Sequence, residues 1–191
     1  MLKSLLPWAQ KYTWHILLVS LVLPLPSFGQ INRDSLVNSV RVSKDDTAKV
    51  SLLLKIADLY ETNHQDSAIY FLEQVKVLAE KLNFRKGMYK YYERSSIVSF
   101  TMGDYKQSLE QNDQAVAIAR ELGDSSLIVN ALANSGIVYQ YLGKFEKQLE
   151  KSLQALAIIE KGKEKGKLSS AYHLVGNAYM NLNQYRKSLD Y

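Results

Sequence analysis

The stretch NSGIVYQYLGKF, residues 134–145, decides the fold, because its closing positions return elsewhere in the chain. Leu142, Gly143 and Phe145 recur as Met102, Gly103 and Tyr105, and again as Leu182, Asn183 and Tyr185, the position number rising by 40 each time (143 − 103 and 183 − 143). A period between about 20 and 50 residues marks an array whose units cannot bury their own apolar faces and must stack on neighbours. Within this unit Leu132, Gly136, Tyr139 and Leu142 form one apolar stripe at helical spacing, and Phe145, Leu149, Leu153, Leu156 and Ile159 form another. Only Gly143 and Lys144 separate them, and so short a turn forces the two helices antiparallel. The unit reads as a helical hairpin.

Working outward, the linkers repeat the same chemistry. Leu122, Gly123, Asp124 and Ser125 give a glycine stop followed by an N-cap, and Leu82, Asn83 and Phe84 occupy the equivalent place with asparagine for glycine. Asp45, Asp46 and Thr47 supply a helix start ahead of Val50, Leu53, Leu54, Ala57 and Tyr60. The expected helices are 46–62, 65–82, 86–102, 105–122, 125–142, 145–162, 167–182 and 185 onward. Residues 45–191 thus hold about four hairpins, and the last is incomplete because the chain stops at Tyr191. That stop suggests a truncated product or a piece of a longer chain. Ahead of the array, residues 30–44 carry Leu36, Val37 and Val40 in a short amphipathic pattern, which predicts a lead-in helix capping the first hairpin.

The first residues differ in kind. All three prolines and both tryptophans fall within residues 1–26, Lys3 and Lys11 precede an apolar run over residues 16–25, and Ser27 and Gly29 follow Pro24 and Pro26. This pattern predicts a signal peptide over residues 1–29, cleaved after Gly29, and hence an exported protein on the periplasmic or extracellular side of a bacterial membrane. A spanning helix would need about 20 apolar residues without such breakers. Cleavage would lower the formal charge from +5 to +3 (5 − 2), since Lys3 and Lys11 leave with no acidic residue. The remaining charges alternate in sign, as in Glu146, Lys147, Glu150 and Lys151, which is a solvated helix face and no nucleic-acid stripe.

Catalytic chemistry finds no support. With no cysteine, disulfides, thiolate metal sites, cysteine catalysis and a lipid-modified cysteine are all excluded. His15, His64 and His173 lie far apart without metal-ligand spacing, and no serine or carboxylate stands at triad-like spacing from them. Gly162 and Gly166 sit in a lysine-rich stretch that lacks the preceding strand and Gly-Lys-Ser/Thr ending of a phosphate loop, so residues 161–167 read as a charged linker. No enzyme, cofactor or metal is expected. Of the thirteen tyrosines, Tyr60, Tyr105, Tyr139, Tyr179 and Tyr185 fall at repeat-core positions, while Tyr89, Tyr91, Tyr92 and Tyr141 are left as groove candidates.

These residues resemble the tetratricopeptide repeat. Residues 134–145 carry most of its first-helix and turn pattern, Gly176, Tyr179, Leu182 and Tyr185 repeat it, and Gly103 with Tyr105 keep part of it, although Ser96 and Ser99 replace the glycine and tyrosine. The first unit keeps Ala57 and Tyr60. Small crossing positions on the second helices are filled by Ala68, Ser108 and Ser188, with Ala115 and Ala155 farther along; Gln148, Asn112 and Ser152 depart from the pattern. The closing proline is absent, and a period of 40 against about 34 points to a longer-linker variety. The resemblance implies an all-α, right-handed superhelical array of antiparallel hairpins, an α-solenoid that binds protein or peptide without catalysing a reaction.

The family geometry would line the concave face with first helices and place in the groove Lys90, Glu93, Arg94, Asn130, Asn134, Gln140, Tyr141, His173 and Asn177, together with Asp58, Glu61, Ile97 and Ile137. Lys90 and Arg94 would favour an acidic segment there. The clamp some members use for a chaperone's acidic C-terminus is not matched, because Leu54, Asp58, Ser170 and Leu174 occupy its other positions. A leader followed by repeats of this period also resembles the extracytoplasmic region of Bacteroidetes-type sensor proteins, in which a membrane helix and a kinase or helix-turn-helix domain follow. The implied role is the sensing part of a longer regulatory protein, tied to a membrane only through a segment beyond Tyr191. The alternative is a freestanding exported scaffold that self-associates through its exposed repeat end.

Overall fold

The structure is a computed structural model that describes residues 28–162 and 165–191. The expected signal peptide, residues 1–29, lies outside the described residues but for its last two. The chain divides into two units, Met1–Ser35 and Leu36–Tyr191. The described part of the first is the opening of helix α1 (Phe28–Val42), and the second holds the rest of α1 and the array. Among the described residues no helix is long and apolar enough to cross a membrane.

The array runs α2 (Thr47–Tyr60), α3 (Gln65–Lys81), α4 (Arg85–Thr101), α5 (Tyr105–Glu121), α6 (Ser125–Tyr141), α7 (Phe145–Lys161), a 3-10 turn (Lys165–Lys167), α8 (Leu168–Asn181) and α9 (Tyr185–Leu189). Its hairpins are α2/α3, α4/α5, α6/α7 and α8/α9. Five stops set their lengths. Asn83, Gly103, Gly123, Gly143 and Asn183 all have positive φ, between 51° and 81°. Glycine tolerates that region freely and asparagine better than most residues. At each stop two carbonyls left open by the helix end are satisfied: Asp104 N–H donates to Ser99 O and Gly103 N–H to Phe100 O, and the pairs at 83/84, 123/124, 143/144 and 183/184 repeat this. Asp46, Asp104 and Asp124 then cap the next helices by accepting from backbone N–H groups.

From Asn83 to Gly143 the stops are evenly spaced (103 − 83 = 123 − 103 = 143 − 123), and Asn183 falls two such steps on. From α3 to α7, the turn inside a hairpin and the turn between hairpins are therefore the same device. The expected longer linkers are corrected accordingly. From α3 to α7 each connection is a three-residue turn, and the extra length resides in helices of 17 residues. The lead-in helix likewise starts earlier than its apolar pattern, and Leu36, Val37 and Val40 pack on the core beside α2.

Burial follows the two stripes. Val50, Leu53 and Ile56 of α2 meet Ala68, Leu72 and Val75 of α3, and the core continues to Leu127 and Ala131 of α6. A second cluster runs from Val129 and Leu132 through Leu156 and Ile159 to Val175 of α8, and Val116 and Ile128 pack against both. The core is a strip handed from hairpin to hairpin, as an array requires. At the crossings, Ser108 Oγ donates to Ser96 O and Ser188 Oγ to Gly176 O, each at 2.8 Å. The third hairpin has Gly136 opposite Gln148, whose buried carboxamide turns to Gln140 and Asn181 instead.

Gly136 and Gly143 separate the roles of glycine in this fold. A Cβ on Gly136 would meet nothing nearer than Ser152 Oγ at 3.8 Å, so Gly136→Ala should raise stability by up to about 1 kcal/mol through helix propensity. Gly143 has open space around it but φ +66°, so Gly143→Ala should cost about 1 kcal/mol of strain. Urea melts followed by circular dichroism would test both. Shifts of the same sign would contradict the left-handed stop.

Candidate functional site

The first helices, α2, α4, α6 and α8, form a wall whose members touch one another. Arg94 of α4 reaches Asp58 of α2 at 3.1 Å and Glu61, its C-cap, at 4.0 Å. Tyr89 of α4 donates its hydroxyl to Leu127 O of α6 at 3.1 Å, and the Phe100 and Tyr141 rings meet edge to face at 4.8 Å. At the next junction Lys167 donates to Ser126.

The charged end of this wall is paired internally. Lys90 donates to Glu93 Oε2 at 2.6 Å, and Glu93, which is buried, shares the single Tyr89 hydroxyl proton with Leu127 O, its Oε1 lying 2.9 Å from the hydroxyl. Burial pushes the Tyr89 phenol above its ordinary value, and the Glu93 carboxylate adds to the shift. Tyr91, also buried, donates to Glu73 of α3 and is pushed up to about 12 by burial and then by that hydrogen bond. Asp58 and Glu61 are raised by burial, against the opposing pull of Arg94. Lys90 and Arg94 thus stand among three carboxylates, Asp58, Glu61 and Glu93, which removes the basis for expecting an acidic segment at this end. Tyr89 is a core residue, and Tyr91, also buried, borders a pocket shared with the second helices α3 and α5.

Farther along, the wall changes character. Ile97 and Phe100 of α4 face Asn134, Ile137 and Val138 of α6 across a pocket of about 180 Å³, completed by Ser96 of α4 and by Ser108 and Asn112 of α5. Ile137 and Tyr141 are exposed, with Tyr141 at 64%. Beyond the pocket lies a chain of carboxamides: Asn181 donates to Asn177 Oδ1 at 3.1 Å and to Gln148 Oε1 at 2.9 Å, and Gln148 donates to Gln140 Oε1 at 3.3 Å. Each amide is both donor and acceptor, so the chain retains hydrogen-bonding capacity beyond these contacts. His173 is exposed on α8, and Asn130 is half-buried on α6.

The expected residues therefore sort into three places. Lys90, Glu93 and Arg94 share a self-paired charged end; Asn134 and Tyr141 belong with the pocket region; Gln140 and Asn177 join the carboxamide chain. Gln148, Asn181 and Asn112 were not among the expected site residues, although Gln148 and Asn112 stand out as departures from the repeat. Tyr185 corrects another expectation: it is 60% exposed, whereas Tyr105 in the same register is half-buried beside Phe100 and Tyr141. The ring beside Tyr105 comes from the following first helix, and Tyr185 has no counterpart of it among the described residues.

No protein-family model and no curated protein matches the chain. Among solved structures, it is similar to a signal transduction ATPase (STAND protein) with a tetratricopeptide repeat sensor from Pyrococcus horikoshii, with TM-score 0.72 and 21% identity over 80% of this chain and 24% of that one. It is also similar to the apo form of RapI, with TM-score 0.69 and 18% identity over 82% of this chain and 58% of RapI. The TPR-like repeats of a protein assigned as a kinesin light chain from Podosopora anserina match with TM-score 0.65 and 17% identity, over 95% and 87% of the two chains. The chain spans about a quarter of the first of these structures. At such identities the likeness establishes the fold, a tetratricopeptide-like α-solenoid.

Removing Arg94 tests the charged end. Because Asp58 and Glu61 hold protons more tightly folded than unfolded, their protonated forms favour folding below the ordinary carboxylate range, and this contribution is lost as pH rises through their raised values. Arg94→Gln should cost about 0.5 kcal/mol near neutral pH, a value discounted for partial exposure, and clearly less near pH 4. Thermal melts at the two pH values check this, and a penalty independent of pH would contradict it.

Proposed function

We propose that this chain is a non-enzymatic interaction module that binds an extended protein or peptide segment along its first-helix wall. The observation that carries this reading is the pocket between α4 and α6, with Ile137 and Tyr141 exposed beside a row of carboxamides. Apolar side chains anchor an extended segment in such a pocket, and amides satisfy its backbone in both directions. We further infer that the module senses its partner for a longer regulatory protein outside the cytoplasm. The leader pattern of residues 1–29 and the repeat sensor of the Pyrococcus protein support this context.

Peptides selected from a random display library against the purified protein should bind wild type and lose binding in Ile137→Glu, which places a charge on the pocket rim. Lys106→Ala, on the exposed face of α5, should leave affinity unchanged. Equal loss in both, or in neither, would contradict the wall as the binding face. For the exported context, N-terminal sequencing of protein recovered from its native cells should begin at Gln30, and a start at Met1 would overturn it. A second reading, self-association through the last hairpin, is favoured by exposed Met180, Tyr185 and Leu189. Light scattering showing a strict monomer at all concentrations would remove it.

A further inference from the structure

We propose that the chain carries a second interaction site, the pocket that α4 shares with the second helices α3 and α5, and that this pocket takes an arginine side chain of a partner protein. It shares no residue with the α4/α6 pocket, so it is independent of the binding face assigned above. The cavity holds about 160 Å³. Buried Leu72 and Val98 line it, together with Ile69 and Met102, which remain 39% and 56% exposed. Exposed apolar side chains gathered at a cavity form a surface that a partner's hydrocarbon can cover. The fold does not cover this one among the described residues.

Charge selects the occupant. The chain as a whole is basic, at +5, yet the only charged residues lining this pocket are Glu73 and Asp104. A neighbouring depression of about 330 Å³ shares Met102, adds Asp66 and again holds no lysine or arginine. Among the described residues, none of these three carboxylates takes part in an ion pair. Lys76 lies over the Tyr91 ring, 5.7 Å from its centroid, and does not bridge to Glu73. Both lining carboxylates are oriented through one oxygen: Glu73 Oε1 accepts the Tyr91 hydroxyl at 2.9 Å, and Asp104 Oδ1 accepts Gln107 N–H at 3.0 Å. The second oxygen of each is left for a ligand. An aliphatic side chain would cover Ile69 and Met102 without using these charges, and an acidic one would be repelled. Arginine answers both features, with methylenes for the apolar lining and a weakly hydrated guanidinium whose planar fork of donors matches carboxylates.

The test uses the full chain, labelled for methyl and amide resonances, and three capped alanine pentapeptides with arginine, citrulline or glutamate at the centre. Citrulline keeps the stem and shape of arginine without its charge. The arginine peptide should move the methyl signals of Ile69 and Met102 and bind about fivefold more tightly than the citrulline peptide, the order expected of partly exposed charge pairs. That preference should fade in high salt. The double variant Glu73→Gln/Asp104→Asn keeps a hydrogen-bond acceptor for Tyr91 and an N-cap for α5. It should show unchanged circular dichroism and bind the arginine and citrulline peptides alike. Equal affinity of those two peptides for wild type, a preference that survives the double substitution, or silence at Ile69 and Met102 would overturn the proposal. Responses confined to Ile97 and Ile137 would overturn it while leaving the first-helix wall as the binding face.

Discussion

The left-handed stop that ends α3, α4, α5, α6 and α8 is the constraint on which the array depends. Only a residue that accepts positive φ lets two backbone N–H groups fold back on the last turn and close its carbonyls. Asn83, Gly103, Gly123 and Gly143 do this at even intervals, and Asn183 does it two intervals on. The spacing fixes helices of 17 residues joined by three-residue turns from α3 to α7. Equal helices on equal turns keep each apolar stripe opposite the next. The core then passes from Val50 to Val175 without a centre, and from α3 to α7 the turns within hairpins match those between them.

Polar groups on this scaffold serve two ends. At the Arg94 end they tie first helices together: Arg94 to Asp58 and Glu61, Tyr89 to Glu93 and Leu127. These bonds consume their partners, and raised carboxyls there show burial outweighing the neighbouring cation. From the pocket onward the polar groups are carboxamides, which pair with each other and still retain donors and acceptors. Asn112 is the extreme case, with neither atom paired. Polar groups at the Arg94 end are thus paired across the first helices, whereas the carboxamides farther along join first helices to the second helix α7.

How much of this was legible in the sequence depended on the range of the interaction involved. The stops were legible because few residues accept positive φ, and helix ends derived from them agree with the structure to within two residues from α3 onward. The caps at Asp46 and Asp124 are equally local. Tyr89 was not legible as core, because its burial and its bond to Leu127 O come from a helix 38 residues on. The neutralisation of Arg94 likewise needs α2 in place. Tyr185 shares the register of Tyr105, yet register alone does not say whether a later residue covers it. Asn112 and Gln148 could be marked as departures from the repeat, but their opposite fates, one unmet and one doubly bonded, depend on Gln140 and Asn181 lying within reach of Gln148.

The claim that unites fold and role is that the first helices form the recognition face. Hydrogen–deuterium exchange of the full chain, with and without a selected peptide bound, tests it most directly, since backbone protection reports which helices the partner covers. Protection concentrated in α4 and α6 is the expected result. Protection concentrated in α3, α5 and α7, with α4 and α6 unchanged, would contradict it.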